Sequence, residues 1–201
     1  MLKKLLLMVA LVCGVSAPAL ADPVVGKPAP TFIANDVTGK SVDLTALKGK
    51  TVVLEWTNYG CPFVRKHYDS GNMQKLQKDI VAKDVVWLTI MSSAEGKEGF
   101  YATDALAAKA AAGKKAASSH LIRDPKGAIG KLYGASTTPH MFVIDPKGVL
   151  VYKGAIDDMP SVDPATLKTA KNYVSAAVDE VLSGKTVTTA ETQPYGCSVK
   201  Y

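Results

Sequence analysis

The chain has 201 residues, a formal charge of +6 and three cysteines, which suffices for one domain with a full core and not for two of ordinary size. A composition of 47% hydrophobic and 21% charged residues excludes a disordered chain. The lysines are spread along the sequence rather than clustered with aromatic residues, so nucleic acid is not implied as a partner.

In chain order, Lys3 and Lys4 precede an apolar run from Leu5 to Val15 and the small-residue segment APALAD. This predicts a secretory signal peptide over residues 1–21, cleaved after Ala21. The run is shorter than the roughly 20 apolar residues that span a bilayer, so no stable membrane span is expected. Cleavage would lower the charge from +6 to +4 and remove Cys13. The mature chain, periplasmic or secreted, would keep Cys61 and Cys197 in a compartment where disulfides persist.

FIANDVTGKSVDL predicts two short strands around the turn TGK. TVVLEW (Thr51–Trp56) is β-branched and mostly apolar, as a buried central strand requires. Cys61 follows after a four-residue turn, and Pro62 suits the first helical position, where a missing N–H costs nothing. DSGN predicts a break in that helix near Gly71. VVWLTIM (Val85–Met91) predicts a second buried strand, the Ala-rich segment after it a second helix, and RDPKGAIGKLYG a turn and a short helix.

HMFVIDPKGVLVYKGAI predicts a hairpin around DPKG, and the last helix is expected to start with Asp163 as N-cap and Pro164 at its first position and to stop at Gly184. The order predicts an α/β fold whose mixed sheet has a parallel core and an antiparallel edge, flanked by helices. Residues 22–184 form this domain, and the polar, aperiodic residues 185–201 are expected to be a tail.

A cysteine where a strand gives way to a helix lies beside unpaired N–H groups and partial positive charge, which favours thiolate. Arg65, at i+4, would add a full charge on the same side, while Lys66 is expected on a solvated face. His67 is expected to be rotated away from Cys61, and His120 to be on the surface. Asp157 and Asp158, being adjacent, predict a loop or a cap and not an acid pair.

VVLEW, the helix-capping Cys61–Pro62, TTPHMFVIDPKGVLVYKG and the final helix resemble the thioredoxin-like fold. Within it they are similar to the redoxin branch, which holds periplasmic thiol-disulfide proteins and the peroxiredoxins of the alkyl hydroperoxide reductase/thiol-specific antioxidant type. The resemblance covers about Gly26 to Gly184. It implies a cis-proline loop at Thr138–Pro139 packed on Cys61 and shaping the docking groove. It also implies a role for Glu55, six residues before Cys61, as proton acceptor for the resolving thiol. The alternative for Glu55 is a place on the polar side of its strand. His140 follows the proline loop and would lie near the sulfur.

Two departures bear on the branch. The thioredoxin pattern Cys-x-x-Cys has Val64 at its fourth position here, and the peroxiredoxin pattern Pro-x-x-x-Thr-x-x-Cys has Leu54 and Asn58 in place of its proline and threonine. The resolving partner must therefore come from elsewhere. About 14 extended residues reach ~45 Å from the last helix, against a domain ~40 Å across, so Cys197 can meet Cys61. Tyr195 and Tyr201 are expected to anchor the tail. A bridge to a second subunit and a static bridge remain open at this stage.

The reading is an exported thiol-disulfide oxidoreductase with Cys61 as nucleophile and Cys197 as resolving thiol. The alternatives are a peroxiredoxin-like peroxidase and a non-enzymatic protein with a structural disulfide or metal-binding thiols. Its partners would be protein or small-molecule disulfides or peroxides and a thiol electron donor. No metal or other cofactor is predicted, and the oligomeric state is not set by the sequence.

Overall fold

The structure, a computed structural model, describes residues 22–201, so the expected signal peptide lies outside it. A hairpin of β1 (Ile33–Asn35) and β2 (Ser41–Asp43) opens the fold. Gly39, at φ 86°, supplies the left-handed residue of the TGK turn. The β-branched run forms β3 (Val52–Trp56), and all five of its residues are buried, as in a strand covered on both faces.

β3 runs parallel to β4 (Val86–Met91) and antiparallel to β7 (His140–Ile144). β4 is parallel to β5 (His120–Arg123), and β7 pairs antiparallel with β8 (Leu150–Gly154), giving the order β5-β4-β3-β7-β8. The helices are α1 (Pro62–Asp69), α2 (Asn72–Val81), α3 (Asp104–Gly113), α4 (Ala128–Leu132) and α5 (Tyr173–Leu182). The sheet is mixed, with a parallel core and an antiparallel edge between flanking helices, as the sequence predicts.

Alternation along β3 divides the core into two layers. Val53 packs with Tyr68, Ile80, Trp87 and Val174 on the side of α1, α2 and α5. Leu54 and Trp56 pack with Leu88, Ile129 and Phe142 on the side of α4 and the opening hairpin. Gly71, at φ 80°, separates α1 from α2 where the break was expected.

Three elements differ from the sequence reading. β5 was not expected, because Leu121 and Ile122 make too short an apolar run to register between polar neighbours. The last helix starts later than predicted: Asp163 caps only a 3-10 turn at Pro164–Lys168, and α5 begins at Tyr173, with Asn172 Oδ1 accepting from Ser175 N–H at 2.8 Å. The helix cannot run through because the chain is pinned to the loop after β8. Lys171 N–H donates to Asp158 Oδ1 (2.8 Å) and Tyr173 N–H to the Ile156 carbonyl (3.0 Å).

The third difference is in the tail, which was expected to be anchored by Tyr195 and Tyr201 but to form no element, and which also pairs with the sheet edge and forms a short strand. Lys153 N–H donates to the Ala190 carbonyl (3.2 Å) and Thr192 N–H to the Lys153 carbonyl (3.1 Å), which extends the β8 edge. Further on, β9 (Cys197–Ser198) pairs antiparallel with β6 (Thr137–Thr138).

Candidate active site

The turn between β3 and α1 is held by Asn58, whose carboxamide accepts from Gly60 N–H (2.9 Å) and donates to the Glu98 carbonyl (3.2 Å). Cys61 N–H donates to the Asn58 carbonyl at 3.0 Å. The residue that departs from the peroxiredoxin pattern thus builds this turn. It leaves Cys61 at the N-cap of α1 with Pro62 in the first turn. Cys61 has no exposed surface, and its thiol donates to the Thr138 carbonyl at 3.1 Å. The Thr138–Pro139 bond is cis, as the resemblance implied.

Cys197 reaches the same place from the tail. It sits opposite Thr138 in the β6–β9 pair, and Thr138 Oγ1 donates to its carbonyl at 3.4 Å. Close approach depends on Gly196, at φ 135°: a Cβ there would stand 2.1 Å from the Thr138 carbonyl oxygen. The Cys197 side chain packs on the core cluster that contains Cys61, and both residues are free thiols. Burial, and then the adjoining Cys61 thiol, push Cys197 up to about 12, so the tail cysteine holds its proton.

Glu55 is fully buried on the Cys61 side of β3 and not on a polar side of the strand. Its carboxylate accepts from Tyr68 Oη (2.8 Å), Gln77 Nε2 (2.9 Å), Trp87 Nε1 (2.8 Å) and Thr89 Oγ1 (3.1 Å). Burial raises it above the usual carboxylate range, against the lowering effect of these bonds.

Arg65 is exposed, and its Nε meets Asp69 at 3.3 Å, one turn further along α1. The guanidinium therefore extends toward the end of the helix opposite to Cys61, contrary to the expectation that it faces the sulfur. His140 is buried; its Nδ1 accepts from Ser136 N–H (3.3 Å) and its ring lies 4.5 Å from that of Phe142. Burial and the charge of Lys153 bring it down to about 4, so it is neutral near pH 7 and supplies no cation to a thiolate.

Lys66, expected on a solvated face, is only 3% exposed. His67, expected to be rotated away from Cys61, is wholly buried, and Asp157 lies in the loop after β8, as expected, but is only 2% exposed. His67 had a signal in the sequence, since it lies three residues after inward-facing Val64; Lys66 had none. His120 is partly buried, its Nδ1 2.7 Å from Asp36 Oδ2. Among the described residues no group of three or more His, Cys, Asp or Glu side chains is arranged to hold a metal ion, and no helix is long and apolar enough to cross a membrane.

Solved structures share this architecture. A hypothetical protein from Sinorhizobium meliloti 1021 is 24% identical, covers 90% of this chain and 96% of its own, and superposes with a TM-score of 0.73. An uncharacterized conserved protein from Geobacillus kaustophilus is 26% identical over 89% of this chain and 92% of its own, with a TM-score of 0.75. The thioredoxin domain of a thiol-disulfide oxidoreductase from Bacteroides vulgatus is 21% identical over 72% of this chain and 96% of its own, with a TM-score of 0.51. No curated protein matches the chain. The family model described as Redoxin matches residues 24–172, which run from the opening hairpin through β3, Cys61, the cis-proline loop and β8. With this match over most of its length and a thioredoxin-like sheet, the chain belongs to the Redoxin family.

Proposed function

We propose that this protein is an exported thiol-disulfide oxidoreductase in which Cys61 is the nucleophile and Cys197 the resolving thiol. The observation that carries the reading is the meeting of these two thiols at the cis-proline loop, one capping α1 and the other on β9. The leader-like first residues support export.

In the proposed cycle the Cys61 thiolate attacks one sulfur of a substrate disulfide. A Cys61–substrate bond forms, the substrate S–S bond breaks, and the second substrate sulfur leaves as a thiolate. Cys197 gives up its proton to a departing thiolate and attacks Cys61 Sγ. The first substrate sulfur is released as a thiol, and a Cys61–Cys197 disulfide remains. Two electrons have passed to the substrate, and a thiol donor returns them. Thr138 and Pro139 shape the site through the carbonyl that receives the Cys61 thiol. The complete burial of Cys61 favours a second reading, in which a small hydroperoxide is the oxidant. The Cys61 thiolate would attack the terminal oxygen, the O–O bond would break, and the remaining alkoxide would take up a proton and leave as an alcohol or water. Cys197 would then attack the Cys61 sulfenic acid, forming the Cys61–Cys197 disulfide and releasing the hydroxyl as water.

The test is a redox titration in glutathione or dithiothreitol buffers, with alkylation and peptide mass spectrometry at Cys61 and Cys197. A bond reduced between about −120 and −270 mV is expected for a working oxidoreductase, and one that stays closed below about −300 mV would make it a structural staple. Cys61→Ser should abolish both disulfide exchange and peroxide consumption.

A further inference from the structure

Lys66 and His67 on α1 and Asp157 after β8 form a buried charged cluster, with side-chain exposures of 0%, 0% and 2%. The tail completes it with Tyr195, two residues before Cys197. Lys66 Nζ donates to the Met159 carbonyl (2.8 Å) and to Tyr195 Oη (3.2 Å), and lies 3.7 Å from Asp157 Oδ2. Tyr195 Oη donates to Asp157 Oδ1.

The His67 tautomer follows from its other neighbour. Asn72 Nδ2 donates to His67 Nδ1 at 2.8 Å, which leaves Nε2 carrying the hydrogen, 3.4 Å from Tyr195 Oη and 3.8 Å from Asp157 Oδ2. The phenol oxygen therefore donates once and accepts twice. Its ring is also held, with Lys66 Nζ 5.1 Å above it and Phe63 at 5.8 Å. If Tyr195 leaves, a buried ammonium and a buried carboxylate each lose a hydrogen-bond partner, which is unfavourable in a poorly solvated place. The cluster thus favours the docked tail at a point close to its cysteine.

Beyond Cys197 the tail is fixed again. Val199 N–H donates to the Ser136 carbonyl (3.0 Å), Ala94 N–H to the Lys200 carbonyl (2.7 Å) and Tyr201 Oη to the Ala135 carbonyl (2.7 Å). With the tail so docked, Cys61 has no exposed surface, and Tyr195 and Cys197 pack on the cluster that contains it.

We propose that Tyr195, held by Asp157 and Lys66, is the positioning residue that keeps Cys197 docked over Cys61, and that its release opens Cys61 to an incoming sulfur or peroxide. This rests on the reading of Cys61 and Cys197 as one redox pair. Undocking admits the oxidant to the Cys61 thiolate. Redocking brings Cys197 Sγ back to form the internal disulfide and displace the leaving group.

The experiment compares Tyr195→Phe with the unmodified sequence in the full chain, using three measurements. In the reduced protein, the rate of Cys61 alkylation by iodoacetamide and the hydrogen exchange of the Val199 amide should each rise at least tenfold, while exchange at Leu54 in the centre of β3 stays unchanged. The equilibrium constant for closing the Cys61–Cys197 disulfide against glutathione should fall by a similar factor. Unchanged alkylation and Val199 exchange would overturn the proposal, as would a rise shared equally by Leu54, which would mark general destabilisation. Increased access with an unmoved disulfide equilibrium would also overturn the positioning role. If the unmodified protein forms no Cys61–Cys197 disulfide, the paired-thiol reading fails by itself, and alkylation and exchange still decide whether Tyr195 holds the tail.

Discussion

Glu55 and His140 show how burial decides the charge of a single residue. Four donors surround the Glu55 carboxylate, yet burial dominates and raises it; His140 is brought down to about 4, chiefly by the same loss of water. A histidine with a folded-state value below its ordinary ~6.5 stabilises the fold fully above that pH, and the stabilisation is lost as pH falls through the folded value. For His140 the window runs from about 6.5 down to about 4. At pH 5 the loss amounts to about 2 kcal/mol, at 1.36 kcal/mol per unit. His140→Gln, which keeps an acceptor for Ser136 N–H, should remove this component; the difference in urea stability between the two proteins, followed from pH 7 to pH 5, checks it. The position of His140 beside the cis-proline loop could be read from the sequence. Its neutrality could not, because that depends on the layers of chain that exclude water.

At the scale of elements, local sequence marked starts and stops well where the chain acts alone. Pro62 after Cys61, Gly71 between α1 and α2, and Gly184 after α5 all act through their own backbone preferences. It misled where tertiary bonds compete, as at Asp163–Pro164, a strong local start that leads only to a 3-10 turn because Lys171 and Tyr173 are tied to the loop after β8. Asn172 is therefore the cap that matters. Asn172→Ala should cost about 1 kcal/mol of stability, as N-cap losses do, and Asp163→Ala distinctly less, as read from thermal melts of the two variants. The tail had no periodicity to reveal it, since its two-residue strand and its aromatic anchors take their meaning from β6, β8 and α1.

For the whole molecule, the Cys61–Cys197 bond would join the start of the first helix to the end of the chain, closing a loop of more than 100 residues. In the chain-entropy model such a loop stabilises the oxidised form by about 4 to 5 kcal/mol. Little of this should be lost to rearrangement, because the tail is already docked in the dithiol state. Denaturant unfolding with and without reductant is expected to show a gap of this order. A gap near zero would mean that docking in the reduced form does not bring the sulfurs into a geometry fit for a bond.

The sequence by itself determined the mixed α/β sheet, the cysteine at a helix start and the reach of the second cysteine. These follow from side-chain periodicity, from residues with special backbone preferences and from chain length, whereas the proline loop that packs on the cysteine was implied by the family resemblance. Only the tertiary structure decided that Lys66, His67 and Asp157 are buried together, that Arg65 extends away from the sulfur, and which polar partners hold the tail. Burial and hydrogen-bond partners are properties of segments distant in sequence brought into contact. A polar residue carries no local sign of whether water or a buried partner will satisfy it.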